Sequence, residues 1–339
     1  MRCTLVVPGL LDWPSSALAG VAREAPALSR LLAADASPTR EPDGQVASAC
    51  RVCGIAQQQD WPVAPWLARA AGIAVGSAYW LCADPAQFLV GSSDVRLGGL
   101  IGDLEVTDAQ ALIALLNGHF ADDGIRFVAP TPAHWFACAE PSPRIVTRPP
   151  EAAVDAPLIP YLASGPDAAH WRRWQSELQM LFFEHAVNRR REASGCTPVD
   201  GLWFWGGGTL APPATLAPQI FADGGLVAAL GRSVGLTCAP LPAAFAALPS
   251  VAACAVWLPA IEGENREAEL AAADRAWMAP AERALDAGRL SAVELILTGR
   301  SLGLRFRLSR PSRGRRWLGR IAARRAAPLA RLVAEADAG

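Results

Sequence analysis

The stretch that most constrains this chain runs from Ser176 to Thr209, SELQMLFFEHAVNRRREASGCTPVDGLWFWGGGT. Trp171, Trp174, Leu178, Leu181 and His185 recur at three- and four-residue steps, which puts them on one face of a helix. That helix is predicted to begin near Asp167, just after Gly165-Pro166, where a short acceptor and a helix-compatible proline belong. Arg189, Arg190 and Arg191 near its end suit the helix dipole, and Gly195 and Pro198 stop it. In Val199 to Trp205, Leu202 and Phe204 point to one face of a strand and Trp203 and Trp205 to the other. A strand apolar on both faces is predicted to be central in a covered sheet, flanked by the strands near Leu5, Val256 and Leu295. Gly206-Gly207-Gly208 then reads as a loop that allows a sharp turn and close approach of another group.

Composition narrows the chemistry. The chain has 339 residues, 52% of them hydrophobic, enough for a large core and roughly two domains. Its net charge of −1 gives no global attraction to nucleic acid or acidic lipid. All 31 basic residues are arginine, so a P-loop lysine, a Schiff-base lysine and a pyridoxal site are excluded. No run approaches the roughly 18 apolar residues of a membrane helix. The apolar start Leu5-Val6-Val7 is broken by Pro8-Gly9 and reads as a buried strand rather than a signal peptide. Eight scattered cysteines without an export signal are expected to be reduced thiols of a cytoplasmic protein.

Along the chain, Pro26 to Ala33 reads as a helix and Asp35 to Gln45 as a loop. Cys50-Arg51-Val52-Cys53 is a lone CxxC without further ligands, and small buried thiols are the plainer reading. Tyr79 to Cys82 and Phe88 to Val90 read as two strands. Thr107-Asp108 caps a helix from Ala109 to Phe120, and strands are predicted at Ile125 to Val128 and His134 to Cys138. His119, beside Leu116 and Phe120, reads as structural. Pro141 to Pro160 reads as a linker. Later come helices at Leu226 to Ser233 and Arg266 to Asp286, and strands at Ala252 to Leu258 and Ala292 to Leu297. Gly303 to Ser309 alternates and reads as an edge strand with one wet face. A last helix is expected from Arg315 to Ala336. The arginine density from Arg300 to Arg331 fits either an anion or partner surface or a solvated edge.

Two local motifs fail on context. Gly206 to Ala211 formally fits G-x-G-x-x-A, but Pro212-Pro213 follow where a pyrophosphate-binding helix would have to open. The four histidines, His119, His134, His170 and His185, share no metal-ligand spacing, and no serine sits in a nucleophile-elbow pattern.

Several runs together carry a resemblance: Gln179-Met180-Leu181, Glu184-His185, Val187-Asn188, Arg191-Glu192, Pro198-Val199 and Leu202 to Gly208. With them go Val7 to Leu11, Asp60 to Ala64, Asp84-Pro85, Leu116 to Phe120 and Asp123-Gly124. The chain resembles the bacterial RpfE-type regulatory proteins over most of residues 1 to 235, departing at Ser176, Phe183, Ala186, Asp200 and Gly201. The same segments are distantly similar to archaeal-type cofactor-independent phosphoglycerate mutases, which have an alkaline-phosphatase-like fold with an inserted α+β cap. That chemistry implies two divalent metals on Asp and His and a Ser or Thr that takes the phosphoryl group. Here the matching positions read Pro8-Gly9, Ala47-Ser48-Ala49-Cys50, Pro259 to Glu264 without a histidine, and Thr298-Gly299-Arg300. Phosphoryl transfer without those groups loses both metal clamp and nucleophile.

The resemblance implies an α/β protein with an alkaline-phosphatase-like layered sheet core and an inserted α+β domain. Residues 1–75 are expected to begin the core, 76–160 to form the insertion, and 161–339 to complete the core with a basic C-terminal helix. The expected function is that of a catalytically degenerate relative acting by binding, in regulation, without a cofactor. The alternative is an active mutase-like or phosphatase-like enzyme holding two divalent metal ions on ligands such as Asp12, Glu262, Glu264 and Asp274. Asn188 and Arg191, one helical step apart, with Trp205, Gly206, Gly207 and Gly208, are the expected ligand-binding residues for a phosphorylated small molecule. In the plainer alternative, Asn188 and Arg191 only cap the helix and brace the loop. A protein partner is the other candidate; a membrane is not expected and nucleic acid is disfavoured.

Overall fold

The computed structural model describes residues 1–34, 38–42, 44–91, 94–154, 156–214, 219–309 and 329. Among these, the strands are β1 (Arg2–Val7), β2 (Thr39–Pro42), β3 (Tyr79–Val90), β4 (Val95–Leu100), β5 (Ile125–Val128), β6 (Phe136–Ala139), β7 (Gly201–Gly208), β8 (Gln219–Phe221), β9 (Cys238–Ala239), β10 (Ala253–Trp257), β11 (Ala292–Thr298) and β12 (Leu302–Ser309). The result is a mixed α/β protein of two compact units, Met1–Gly54 with Thr215–Gly339, and Ile55–Ala214. The inner unit is thus larger than the 76–160 insertion expected. Residues 161–214 join it because β7 pairs with β3 and the helix Ala168–Phe183 packs on the same sheet. No helix among the described residues is long and apolar enough to cross a membrane.

The outer unit holds a seven-stranded sheet in the order β2-β12-β11-β1-β10-β8-β9. β1 lies between β10 and β11, parallel to both. A parallel strand of this kind is covered on both faces, which is why Leu5, Val6 and Val7 are all apolar and fully buried. The grouping of the strands near Leu5, Val256 and Leu295 agrees with expectation. β12 alternates as expected, burying Leu304, Phe306 and Leu308, but it is not the edge. The residues between 35 and 45 were expected to be loop, yet Thr39–Pro42 forms β2 and takes the edge, antiparallel to β12. A four-residue strand holding a proline gives little sequence signal and suits an edge. The terminal helix expected from Arg315 to Ala336 lies outside the described residues, Leu329 apart, as does the arginine-rich stretch beyond 309.

The inner unit is an antiparallel sheet built around β3, one strand of twelve residues where two were expected. Pro85 does not break it. Cys82 pairs with Phe136 of β6 and Ala86 with Leu100 of β4, so Pro85 sits where one neighbour hands over to the other. β7 pairs with β3 on one side only, at the rim of this sheet. Its predicted central place between the strands near Leu5, Val256 and Leu295 is therefore corrected. All eight of its residues are nonetheless buried. On one face Trp171 meets Phe204 edge-on at 5.0 Å. Elsewhere the Trp203 indole N–H donates to the Arg148 carbonyl at 2.9 Å, and Val63 of the helix Val63–Ala70 abuts Gly206. Helices and loops cover β7 so fully that its pattern matches that of a central strand.

The long helix breaks where one was predicted. Ala168–Phe183 buries Trp171, Trp174, Leu178 and Phe182, but leaves Leu181 half-buried. His185 is extended and caps a second helix, Ala186–Ala193, its Nδ1 accepting from the Val187 N–H at 3.3 Å. Asp167 stands at the first helix's N-cap, but its carboxylate binds Arg144 (2.9 Å) rather than the helix amides. The expected linker Pro141 to Pro160 is packed: Ile145 and Thr147 are buried and Pro150–Ala153 is helical. His119 is exposed, edge-on to Phe120 at 4.7 Å. Cys50 and Cys53 are both buried, and burial pushes the Cys53 thiol up to about 12.

Candidate functional site

The expected ligand residues fall at two ends of β7. Asn188 donates from Nδ2 to the Phe182 and Val199 carbonyls, both at 2.8 Å, and its Oδ1 accepts the Val199 N–H at 2.9 Å. Arg191, 6% exposed, donates from Nε to the Thr197 carbonyl (2.7 Å) and from Nη2 to Asp103 Oδ1 (2.7 Å). Both side chains brace the segment that leads into β7. The glycines lie at its far end; the seven residue steps from Val199 to Gly206, in extended chain, span roughly 23 Å. The structure brings Asn188 and Arg191 together, and does not bring them to the glycines.

What comes close to the glycines is protein. Gly206 has φ 69°, and a Cβ there would stand 2.9 Å from Val63 Cβ. A Cβ at Gly207 would strike the Tyr79 hydroxyl, and one at Gly208 would stand 2.5 Å from Pro62 Cβ. Gln58 closes the end of the strand, its Nε2 donating to the Thr209 carbonyl (2.8 Å) and its Oε1 accepting the Thr209 N–H (3.0 Å). Their glycine character thus follows from close packing.

Trp205 leads to a group that sequence reasoning passed over. Its indole N–H donates to Asp84 Oδ2 at 2.8 Å. Asp84 is 3% exposed, and its Oδ1 accepts the Trp135 N–H at 3.3 Å with His134 Nδ1 at 3.7 Å. Its hydrogen bond to Asp84 raises the His134 pKa against the opposing pull of burial. Nearby in sequence to the same runs, Asp60 is buried; Oδ1 accepts the Trp61 N–H (2.7 Å), and Oδ2 accepts the Thr147 N–H (2.9 Å) and hydroxyl. The signals existed: Asp60-Trp61-Pro62 and Asp84-Pro85 are among the runs that carry the resemblance.

In the outer unit the carboxyl ends of parallel strands are where such sheets place ligands. Asp12 lies there after β1, Glu262 after β10, and Arg300 after β11. Both Asp12 oxygens accept the Arg300 N–H, at 2.8 and 3.1 Å. Burial raises the Asp12 pKa, Arg300 opposes this, and Glu262 adds to it. Glu262 reaches back to Gly9, whose Cβ would stand 3.0 Å from Glu262 Cγ. Glu264 is exposed. Asp274 is engaged elsewhere: 4% exposed, it accepts the Ala27 N–H (3.2 Å) and the Leu28 N–H (2.7 Å). Ser48 is fully buried within the helix Gly44–Val52. Among the described residues no group of three or more His, Cys, Asp or Glu side chains could hold a metal ion. Of the positions the resemblance points to, Asp274 and Asp12 accept backbone amides and Ser48 is enclosed.

No protein-family model matches the chain. It is distantly similar in sequence to a 2,3-bisphosphoglycerate-independent phosphoglycerate mutase of Methanothrix thermoacetophila, 33% identical over 91 residues. That match takes in 27% of this chain and 22% of the relative, about a fifth of its length. Among solved structures, a cofactor-independent phosphoglycerate mutase from Thermoplasma acidophilum aligns over 91% of this chain and 89% of its own, at TM-score 0.40 and 16% identity. The PH0037 protein from Pyrococcus horikoshii aligns over 91% and 87%, at TM-score 0.47 and 13% identity.

Proposed function

We propose that this chain is a catalytically degenerate relative of the cofactor-independent phosphoglycerate mutases, with an alkaline-phosphatase-like core, that acts by binding in the manner of the RpfE-type regulatory proteins. The observation that carries this reading is the engagement of its acids: Asp274 caps a helix, and Asp12 holds the Arg300 amide. Metal-assisted phosphoryl transfer needs such acids free to hold the metal ions that would neutralise charge on the transferring group. Binding is assigned to the inner unit and to a protein partner. Leu89, Val90, Leu100, Val106, Ile159, Met180 and Phe183, the large apolar side chains exposed among the described residues, all belong to it. In this reading Asn188, Arg191, Trp205, Gly206, Gly207 and Gly208 serve as the frame of that unit.

The test is turnover. Purified protein incubated with 3-phosphoglycerate and manganese is expected to form no 2-phosphoglycerate above background. Turnover that a chelator abolishes, and that Asp12→Asn also abolishes, would establish the enzyme reading with Asp12, Glu262 and Glu264 among its ligands.

One observation favours a second reading, an anionic metabolite at Arg191. Its partner Asp103 has a side chain 66% exposed, so a phosphate or carboxylate could displace it from the guanidinium. Under this reading phosphorylated three-carbon acids raise the wild-type melting temperature and fail to raise that of Arg191→Ala. No shift in the wild type leaves the frame role standing.

A further inference from the structure

Two buried thiols face each other across the middle of the outer sheet. Cys3 of β1 is in register with Cys254 of β10. The two residues are 2% and 1% exposed, and their sulfur atoms are 3.6 Å apart. Paired residues on neighbouring strands have Cα atoms about 4.8 Å apart, inside the roughly 4.4–6.8 Å that a disulfide spans. Cross-strand partners project from the same face, so closing the bond needs side-chain rotation and no change of register. The other thiols differ. Cys53 and Cys238 turn their sulfurs to the Val227 and Ala228 carbonyls, each at 3.7 Å, and Cys196 is exposed on the inner unit.

We propose that Cys3 and Cys254 form a modification site, a dithiol that closes to a disulfide when a hydroperoxide reaches it. Contact with the Cys3 sulfhydryl lowers the Cys254 pKa against the effect of burial, while the same contact and burial raise that of Cys3. Cys254 is therefore the attacking sulfur of the two, once local opening of the sheet admits the peroxide to this buried pair. Its sulfur attacks one peroxide oxygen, the O–O bond breaks, and the released hydroxide takes up a proton to leave as water. The Cys254 sulfenic acid so formed is attacked by the Cys3 sulfur. The S–S bond forms, the S–O bond breaks, and the leaving hydroxide combines with the Cys3 proton as a second water. Two thiols have lost two electrons and two protons, and one hydrogen peroxide has become two waters. The bond joins residues 251 positions apart in the chain, so it restricts the unfolded chain strongly.

The experiment treats the full chain with hydrogen peroxide, alkylates remaining thiols under denaturing conditions, and maps peptides by mass spectrometry. The expected result is a Cys3–Cys254 linked peptide two hydrogen masses lighter than its parts, lost on reduction. The oxidised protein is expected to melt several degrees higher than the reduced one, and Cys3→Ser and Cys254→Ala to show no oxidant-dependent rise. The linked peptide is read on the wild type, so the result stands even if a variant fails to fold. Recovery of Cys3 and Cys254 both alkylated, while Cys196 is oxidised, would overturn the proposal.

Discussion

The two units bury similar apolar strands by opposite means. In the outer unit β1 is apolar because it has a parallel neighbour on each side, β10 and β11. In the inner unit β7 is as buried with one neighbour, β3, because side chains and loops close over its free side. A strand apolar on both faces therefore reports coverage, not position in a sheet. The cost of that coverage shows in the glycines: Gly206, Gly207 and Gly208 have no space for a Cβ, whereas a Cβ at Gly263 of the outer unit would meet no atom beyond its chain neighbours within 4 Å.

The largest expected effect breaks the coverage directly. Gly208→Ala forces a Cβ against Pro62, and Gly206→Ala adds strain at φ 69°. Each is expected to cost about 3 kcal/mol in denaturant unfolding, as overpacking does. Gly263→Ala, with φ 81° and open surroundings, should cost only about 1 kcal/mol. Equal costs at Gly208 and Gly263 would show that the glycines of β7 are not packing positions.

A smaller effect separates buried carboxylates by their role. Trp205→Phe removes the indole N–H from buried Asp84 and should cost about 2 kcal/mol, measured by the shift in denaturant midpoint. Asp274→Ala removes the acceptor of the Ala27 and Leu28 amides and should cost about 1–2 kcal/mol. A neutral Asp274→Ala would free this residue for another role and weaken the case that the acids of the outer unit are engaged.

These elements also mark what the sequence could show. Helices at Pro26 and Gly225 and strands at Leu5, Val256 and Leu295 were legible because apolar period and turn residues agree there. The break at His185 was not, since Trp171 to Leu178 and the later arginines fit one continuous helix as well as two. β2 was hidden because Thr39-Arg40-Glu41-Pro42 is polar; Glu41 is buried only through its ion pairs with Arg305 (2.9 Å) and Arg51 (3.2 Å). At the candidate site, the one-turn spacing of Asn188 and Arg191 was legible. Their separation from the glycines was not, because it depends on which end of β7 each meets. Asp84 and Asp60 lie among the quoted runs, but nothing local says that a buried Trp205 or Thr147 would come to them.

The smallest effect is a pH dependence in the inner unit. Asp84 raises the His134 pKa above its ordinary 6.5. The charged pair therefore contributes stability that is fully present below about pH 6.5 and is lost as pH rises through the folded-state pKa. The His134 side chain is 72% exposed, so solvent screening holds the effect to about 0.5 kcal/mol or less. Melting curves from pH 5.5 to 8 should show a slight fall that His134→Asn removes; an unchanged slope in the variant would assign it to other groups.

At the strand ends of the outer unit, Asp12 is held by the Arg300 amide, and in the proposed reading this leaves no clamp for a metal ion. Calorimetric titration of manganese into the metal-free protein tests this most directly. The account predicts no saturable binding at micromolar concentration, in the wild type or in Asp12→Asn. Binding of about two ions per chain, weakened by Asp12→Asn, would contradict it.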